Sequence, residues 1–184
     1  MANVGDREAR FGRLCKAHAA AVLAYALRRV PREDAADVVA ETFLVAWRRL
    51  DEVDERSALP WLYAVARRVL LSYQRSTRRQ RAIAERIAAA EPSSPAETSP
   101  APGSRRVVEA LAGLSEQERE VLMLCAWEEL SSSEAARVLG CSATAYRIRL
   151  HRARKRLRER LAKPESGTQS TPGRAARTEE SPSC

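Results

Sequence analysis

The chain has 184 residues, 45% of them hydrophobic and 30% charged, with 32 Lys and Arg against 24 Asp and Glu and a formal net charge of +8. That composition excludes a wholly disordered polymer and leaves room for one medium domain or two small ones. A pI near 9.9 favours an anionic partner, nucleic acid or a membrane surface. No run reaches the ~18 apolar residues of a bilayer span, and residues 1–6 lack a basic signal-peptide start, so a cytoplasmic location is expected.

Residues 1–90 are expected to form a helical bundle, with helices over 11–30, over 33–50 after Pro31, and from Pro60 to about 89. In the second helix Val39, Phe43, Ala46 and Leu50 take the inward positions, while Asp37 and Glu41 place two carboxylates on one side. Like charges four apart cost a few tenths of a kcal/mol, which a basic partner would relieve; a solvated acidic face is the plainer alternative. The third helix sets Trp61, Tyr63 and Tyr73 among Arg67, Arg68, Arg75, Arg78 and Arg79. Rings among cations suit unpaired bases and their backbone, although Trp61 and Tyr63 at a helix start more readily serve as core anchors.

Residues 91–104 carry Pro92, Pro95, Pro100 and Pro102 among serines and threonines with no Lys or Arg, the composition of a semi-rigid linker able to hold two modules tens of ångströms apart. Residues 105–162 then give the clearest local signals. Ser115 to Glu118 and Ser131 to Glu134 fit the capping box, Gly140 suits a helix C-terminus, and Ser142 suits the next N-cap. That is helix, tight turn, helix. In the last helix Tyr146, Leu150, Ala153, Leu157 and Leu161 form one apolar stripe. The opposite side presents Thr144, Ile148, His151, Arg152 and Lys155, with Arg147 and Arg149 on the flanks. In a major groove the central residues Ile148, His151 and Arg152 would read base edges, and Arg147, Arg149 and Lys155 would grip phosphates, aided by free amides near Ser142. Residues 163–184 lack apolar periodicity and are expected to be a disordered tail.

The predicted fold class is therefore all-α: two small helical domains, 1–90 and 105–162, joined by the flexible Pro-rich linker 91–104, the second domain containing a helix-turn-helix. Each domain is separately basic. Residues 1–90 hold 17 basic and 11 acidic side chains, and residues 105–162 hold 12 and 8, which suggests two contacts along one polyanion. Four cysteines, Cys15, Cys125, Cys141 and Cys184, are too scattered for a disulfide framework, and the Cys15 and His18 pair lacks a second pair at zinc spacing. Glycine-rich phosphate loops, zinc-protease and serine-hydrolase motifs are missing from the sequence, so no enzyme activity, cofactor or metal is expected.

The run from Asp37 to Arg48 through Glu41, Thr42, Phe43 and Trp47, the run Leu59-Pro60-Trp61-Leu62-Tyr63 ending at Arg67, and Gly140-Cys141-Ser142 followed by Arg147 to Arg154 closely resemble bacterial sigma factors of the extracytoplasmic-function (ECF) group. The resemblance spans about residues 9–161, both modules in order. It implies a dissociable, non-enzymatic subunit that directs RNA polymerase to promoters. The first module would bind the clamp helices of the largest catalytic subunit through the helix bearing Asp37, Glu41, Thr42, Phe43 and Trp47. The same module would capture melted minus-ten DNA with Asp54, Arg56 and Ser57 in the 51–58 loop and with Trp61, Arg67, Arg68 and Arg75 beside the strand. The second module would bind the polymerase flap tip and read the duplex minus-35 element with Ser142, Thr144, Arg147, Ile148, Arg149, His151, Arg152 and Lys155. An anti-sigma protein is a further partner implied by the family. The alternative from the residues alone is a conventional helix-turn-helix repressor or activator with a sensing or dimerising first module.

Overall fold

The computed structural model describes residues 4–87 and 102–162; the expected linker falls largely, and the expected tail wholly, outside the described residues. Described elements are α1 (Val4–Leu27), α2 (Arg32–Arg48), two single 3-10 turns (Leu50–Glu52 and Glu55–Ser57), α3 (Ala58–Ile87), α4 (Pro102–Ala112), α5 (Glu116–Ala126), α6 (Ser132–Leu139) and α7 (Ala143–Ala162). The fold is all-α. Several boundaries differ from the sequence expectation: α1 begins seven residues earlier than 11 and ends at Leu27, and α4 starts inside the 91–104 segment at Pro102, a residue suited to a first helical turn. The second helix stops at Arg48, and the next turn tightens so that Leu50 still reaches the interior at 1% exposure.

The first three helices pack on one another through Val22, Tyr25 and Ala26 of α1, Val38, Phe43 and Ala46 of α2, and Leu62, Ala66 and Leu70 of α3. Val38 takes the inward place expected of Val39, which is half-buried. Thr42 is fully buried and avoids an orphaned hydroxyl by donating to the Val38 carbonyl at 2.6 Å. At the edge of this core Phe11 packs edge-on to Phe43 and Trp47, with ring centroids 6.3 and 5.1 Å apart.

In the second half local chemistry fixes the turns. Both capping boxes are formed: Ser115 and Ser131 accept the amides of Glu118 and Glu134, and each glutamate reaches back to its serine. Each is worth about 1 kcal/mol of helix stability. Hydrogen bonds from the Ser131 hydroxyl and amide hold the Glu134 carboxyl below its ordinary range. Burial works against charge on Glu118, but Ser115 and then Arg156 outweigh it and also bring its carboxyl down. Gly140 stands at φ 65°, the left-handed conformation that lets the chain reverse after α6, and the Cys141 amide closes the turn on the Ala136 carbonyl at 2.9 Å. Ser142 then accepts the Ala145 amide and starts α7. The α7 stripe is buried at Tyr146, Leu150 and Ala153, and the Tyr146 hydroxyl donates to the Val121 carbonyl at 3.2 Å. Burial, with the nearby thiols of Cys125 and Cys141, pushes that phenol up to about 12.

The two modules touch, contrary to the separation expected from a stiff linker. α6 packs on α3, and the buried side chains of both halves form one continuous cluster. Polar groups join across the seam. Arg29, in the turn just past α1, donates from Nε to Glu120 Oε2 and from Nη1 to Glu128 Oε1, both at 2.8 Å, and the Tyr25 hydroxyl donates to Glu120 Oε1 at 2.9 Å. Arg28 lies 3.3 Å from Glu128. Side-chain exposure is 7% for Arg29 and zero for Glu128, so these charges are paired where water is scarce. The physical reason for the contact is complementarity: a basic pair in the turn after α1 meets an acidic pair from the second module, and Leu70 and Met123 are buried near the same seam.

Candidate nucleic-acid interface

The side of α7 opposite its buried stripe is open. Thr144, Arg147, Ile148, Arg149, His151, Arg152 and Lys155 are all exposed, Ile148 at 49%. Arg147 donates to the Thr144 hydroxyl at 3.3 Å, and Lys155 lies 3.9 Å from Glu159. Arg149, His151 and Arg152 have no ion pair among the described residues, which leaves their donors free for a ligand. A cleft between α5 and α7 gathers Arg149, Arg152, Lys155 and Arg156 opposite Ser115, Gln117 and Glu118 at the start of α5, with Arg156 paired to Glu118 and Glu159 also lining it. Arg154 points elsewhere, with Nη2 3.2 Å from the Cys125 sulfur. The geometry suits a duplex: a narrow row of mixed apolar and donor side chains for base edges, with cations at its margins.

The first module presents a different surface. Asp54 accepts the Arg56 amide and the Ser57 hydroxyl, at 3.1 and 3.2 Å, so the 51–58 loop is a capped turn with Asp54 and Arg56 exposed and Ser57 half-buried. The loop is tied down from α1. Arg10 donates to the Val53 carbonyl at 2.6 Å and lies 3.5 Å from Glu55, and Arg7 reaches Asp51 at 3.4 Å. These anchors were not visible in the sequence, because 43 or more residues separate each of them from the loop and no periodicity links them. Trp61 is half-buried, with the Arg49 guanidinium 5.9 Å from its ring, whereas Tyr63 is a core residue stacked on Tyr25 at 4.8 Å. Along α3, Arg67 is half-buried and Arg68 and Arg75 are exposed. Arg75 donates back to the Leu71 carbonyl at 3.0 Å.

On α2 the expected partner-binding residues divide. Asp37 and Glu41 are exposed and line a groove whose other wall is Arg68, Ser72 and Ser76 of α3. Thr42 and Phe43 are interior, so they hold the helix in place and offer no surface. Trp47 is half-buried between Phe11 and Arg7, whose guanidinium sits 5.2 Å from its ring and donates to its carbonyl at 2.9 Å. Among the described residues no group of three or more His, Cys, Asp or Glu is placed to hold a metal, and no helix is long and apolar enough to cross a membrane.

Comparison with known proteins agrees with this two-part layout. Residues 14–80 match the family model described as Sigma-70 region 2, and residues 104–157 match Sigma-70, region 4. The chain is 36% identical over 167 residues to the RNA polymerase sigma factor NccH of Alcaligenes xylosoxydans xylosoxydans, covering 83% of this chain and 87% of that protein. It is 33% identical over 146 residues to the ECF RNA polymerase sigma factor SigL of Mycobacterium tuberculosis, covering 77% and 82% respectively. The fold superposes with a TM-score of 0.64 and 25% identity on the sigma factor RpoE of Bartonella quintana, solved with the anti-sigma factor NepR, covering 82% of this chain and 96% of that one. With region 2 preceding region 4 in one chain, the conventional repressor or activator is set aside. Sigma factors are non-enzymatic subunits that bring core RNA polymerase to promoter DNA. The chain belongs to the sigma-70 family of RNA polymerase sigma factors, in its extracytoplasmic-function group.

Proposed function

We propose that the two modules of this sigma factor divide one promoter between them. The first, residues 1–90, docks on the clamp helices of the largest polymerase subunit with the Asp37 and Glu41 face of α2. It takes the melted minus-ten strand along Asp54, Arg56, Ser57, Trp61, Arg67, Arg68 and Arg75. The second, residues 105–162, binds the flap tip and lays α7 in the duplex minus-35 element, with Ile148, His151 and Arg152 toward the bases, Arg147, Arg149 and Lys155 toward the phosphates, Thr144 on the same open side, and the α7 start at Ser142 against a phosphate. The 91–104 segment spans the polymerase between them. An anti-sigma protein is a fitting third partner, since the structurally similar RpoE was solved with one.

One observation carries the division: both modules expose a cationic helix, and on α3 an accessible indole, Trp61, stands beside Arg68, whereas the exposed cationic row of α7 carries no Trp, Tyr or Phe. Opening a duplex costs unstacking energy that a ring can partly return, while an α-helix fits a closed major groove without opening it. Trp61→Ala combined with Arg68→Ala is expected to reduce minus-ten opening by the holoenzyme about tenfold or more, given ~1–3 kcal/mol per stacked base. Duplex binding at minus-35 should be unaffected. Fluorescence of a 2-aminopurine placed in the minus-ten element reads the opening, and an unchanged opening rate and extent would remove these residues from the strand path.

A further inference from the structure

The 51–58 loop has little of its own to hold it in place. Its backbone bonds shape two short turns, from the Val53 amide to the Leu50 carbonyl at 3.2 Å and from the Ser57 amide to the Asp54 carbonyl at 3.0 Å, while the junction residues Val53 and Asp54 are extended. Local bonds therefore set each turn but not the angle between them. Close packing does not set it either, since Leu14 of α1 and Leu50, Val53 and Ala58 line a cleft of about 230 Å³ between the loop and α1. The fixing bonds come from two arginines of α1, three residues apart and so on one face. Arg7 donates to the Trp47 carbonyl at 2.9 Å and meets Asp51 of the first turn at 3.4 Å. Arg10 lines the cleft and spans the junction: its Nη2 donates to the Val53 carbonyl at 2.6 Å, and its Nε lies 3.5 Å from Glu55 of the second turn. That second turn carries Ser57, which shares another cleft with Trp61 of α3, so a shift of the turn moves one proposed strand contact against the next.

We infer that Arg10, seconded by Arg7, is a positioning residue for minus-ten base choice: through it α1 holds the loop so that Asp54, Arg56 and Ser57 meet the strand in one geometry. The inference rests on the loop's place in the strand path proposed above. Base discrimination needs donors and acceptors held within about 0.5 Å of the reading geometry, and a loop freed from Arg10 spends only part of its time there. Right and wrong bases then meet a less defined surface. Arg67, Arg68 and Arg75 still hold the backbone, so the loss falls on the choice of base and not on the holding of the strand. The specificity of the first module thus reaches back to a helix that carries none of its proposed DNA contacts.

The test uses holoenzyme on one promoter pool randomised at minus-ten and a second randomised at minus-35. Arg10→Ala is expected to reduce the preference for the favoured minus-ten base about fivefold or more, with minus-35 preference and affinity for core polymerase unchanged. Arg10→Lys keeps one donor for the Val53 carbonyl but loses the fork that also meets Glu55, and should fall between, at about twofold. Added to the loop variant Asp54→Ala, Arg56→Ala, the Arg10→Ala change should have no further effect on minus-ten choice, because both act on the same reader. If circular dichroism shows that Arg10→Ala loses helicity, Arg10→Lys carries the test, and an unchanged minus-ten preference in it overturns the inference. A uniform fall in transcripts with preference intact leaves Arg10 a stabilising residue only and overturns the inference, as does a matching loss of preference at minus-35. Additive effects with the loop variant place the action of Arg10 outside the loop and overturn it too. The loop variant by itself tests the strand path: a flattened preference there with none in Arg10→Ala sinks the positioning role alone, whereas no flattening in either removes the loop from the path.

Discussion

Replacing Arg152 with alanine is expected to flatten promoter choice at one minus-35 position, with a loss of ~1–3 kcal/mol of discrimination between the preferred base and its competitors. The side chain stands on the exposed row of α7, one helical turn beyond Ile148, and carries no ion pair that would have to be given up before it meets a base. An arginine there has the planar fork that matches the two acceptors on a guanine edge, and alanine leaves that edge unread. Lys155→Ala makes the contrast. A marginal cation held only loosely by Glu159 should weaken binding evenly across sequences and lower the salt dependence by about one phosphate contact, without changing which bases are preferred. Selection from a library of randomised minus-35 elements by holoenzyme distinguishes the two; equal selectivity for Arg152→Ala and the parent would count against a base-reading role.

Reversing Asp37 and Glu41 to lysine is expected to weaken association with core polymerase by about tenfold to a hundredfold, or ~1.4–2.8 kcal/mol. Both carboxylates are exposed on one wall of the α2–α3 groove, so the substitution alters a surface and leaves the packing of Val38, Phe43 and Ala46 beneath it untouched. Like charges one turn apart are kept in α2 at a small cost that a basic partner would repay. Most of the loss should fall on the association rate and diminish as salt is raised. Glu8→Lys, an exposed reversal on α1, serves as control and should leave affinity within about twofold, as surface charges away from an interface usually do. Undiminished affinity of the double reversal, measured by fluorescence anisotropy of labelled chain, would move the docking face elsewhere.

Short-range chemistry made much of this molecule readable from its residues. The two serine-to-glutamate capping boxes, Gly140 and Ser142 each act within one turn of backbone, so the helix starts and the reversal before α7 fall where the residues put them. Helical periodicity likewise separated the buried Tyr146, Leu150 and Ala153 from the exposed cationic row. Periodicity identifies which face is covered but not what covers it. The pairing of Arg29 with Glu120 and Glu128 joins residues 91 and 99 positions apart, and no local pattern encodes it. For the same reason Thr42 and Phe43 read as part of a binding face when they are interior, since a resemblance marks a helix as functional without sorting its supporting side chains from its contacting ones. The loop around Asp54 was marked by the family resemblance, but its fastening by Arg7 and Arg10 of α1 required the fold.

The most direct measurement is transcription with purified core polymerase and this chain on a template pool randomised at both promoter elements, with transcripts and start sites sequenced. Initiation should depend wholly on the chain and recover one minus-35 element and one minus-ten element at fixed separation. Transcripts identical to those of core polymerase alone, or tight duplex binding by the chain that polymerase does not enhance, would contradict a division of one promoter between two modules.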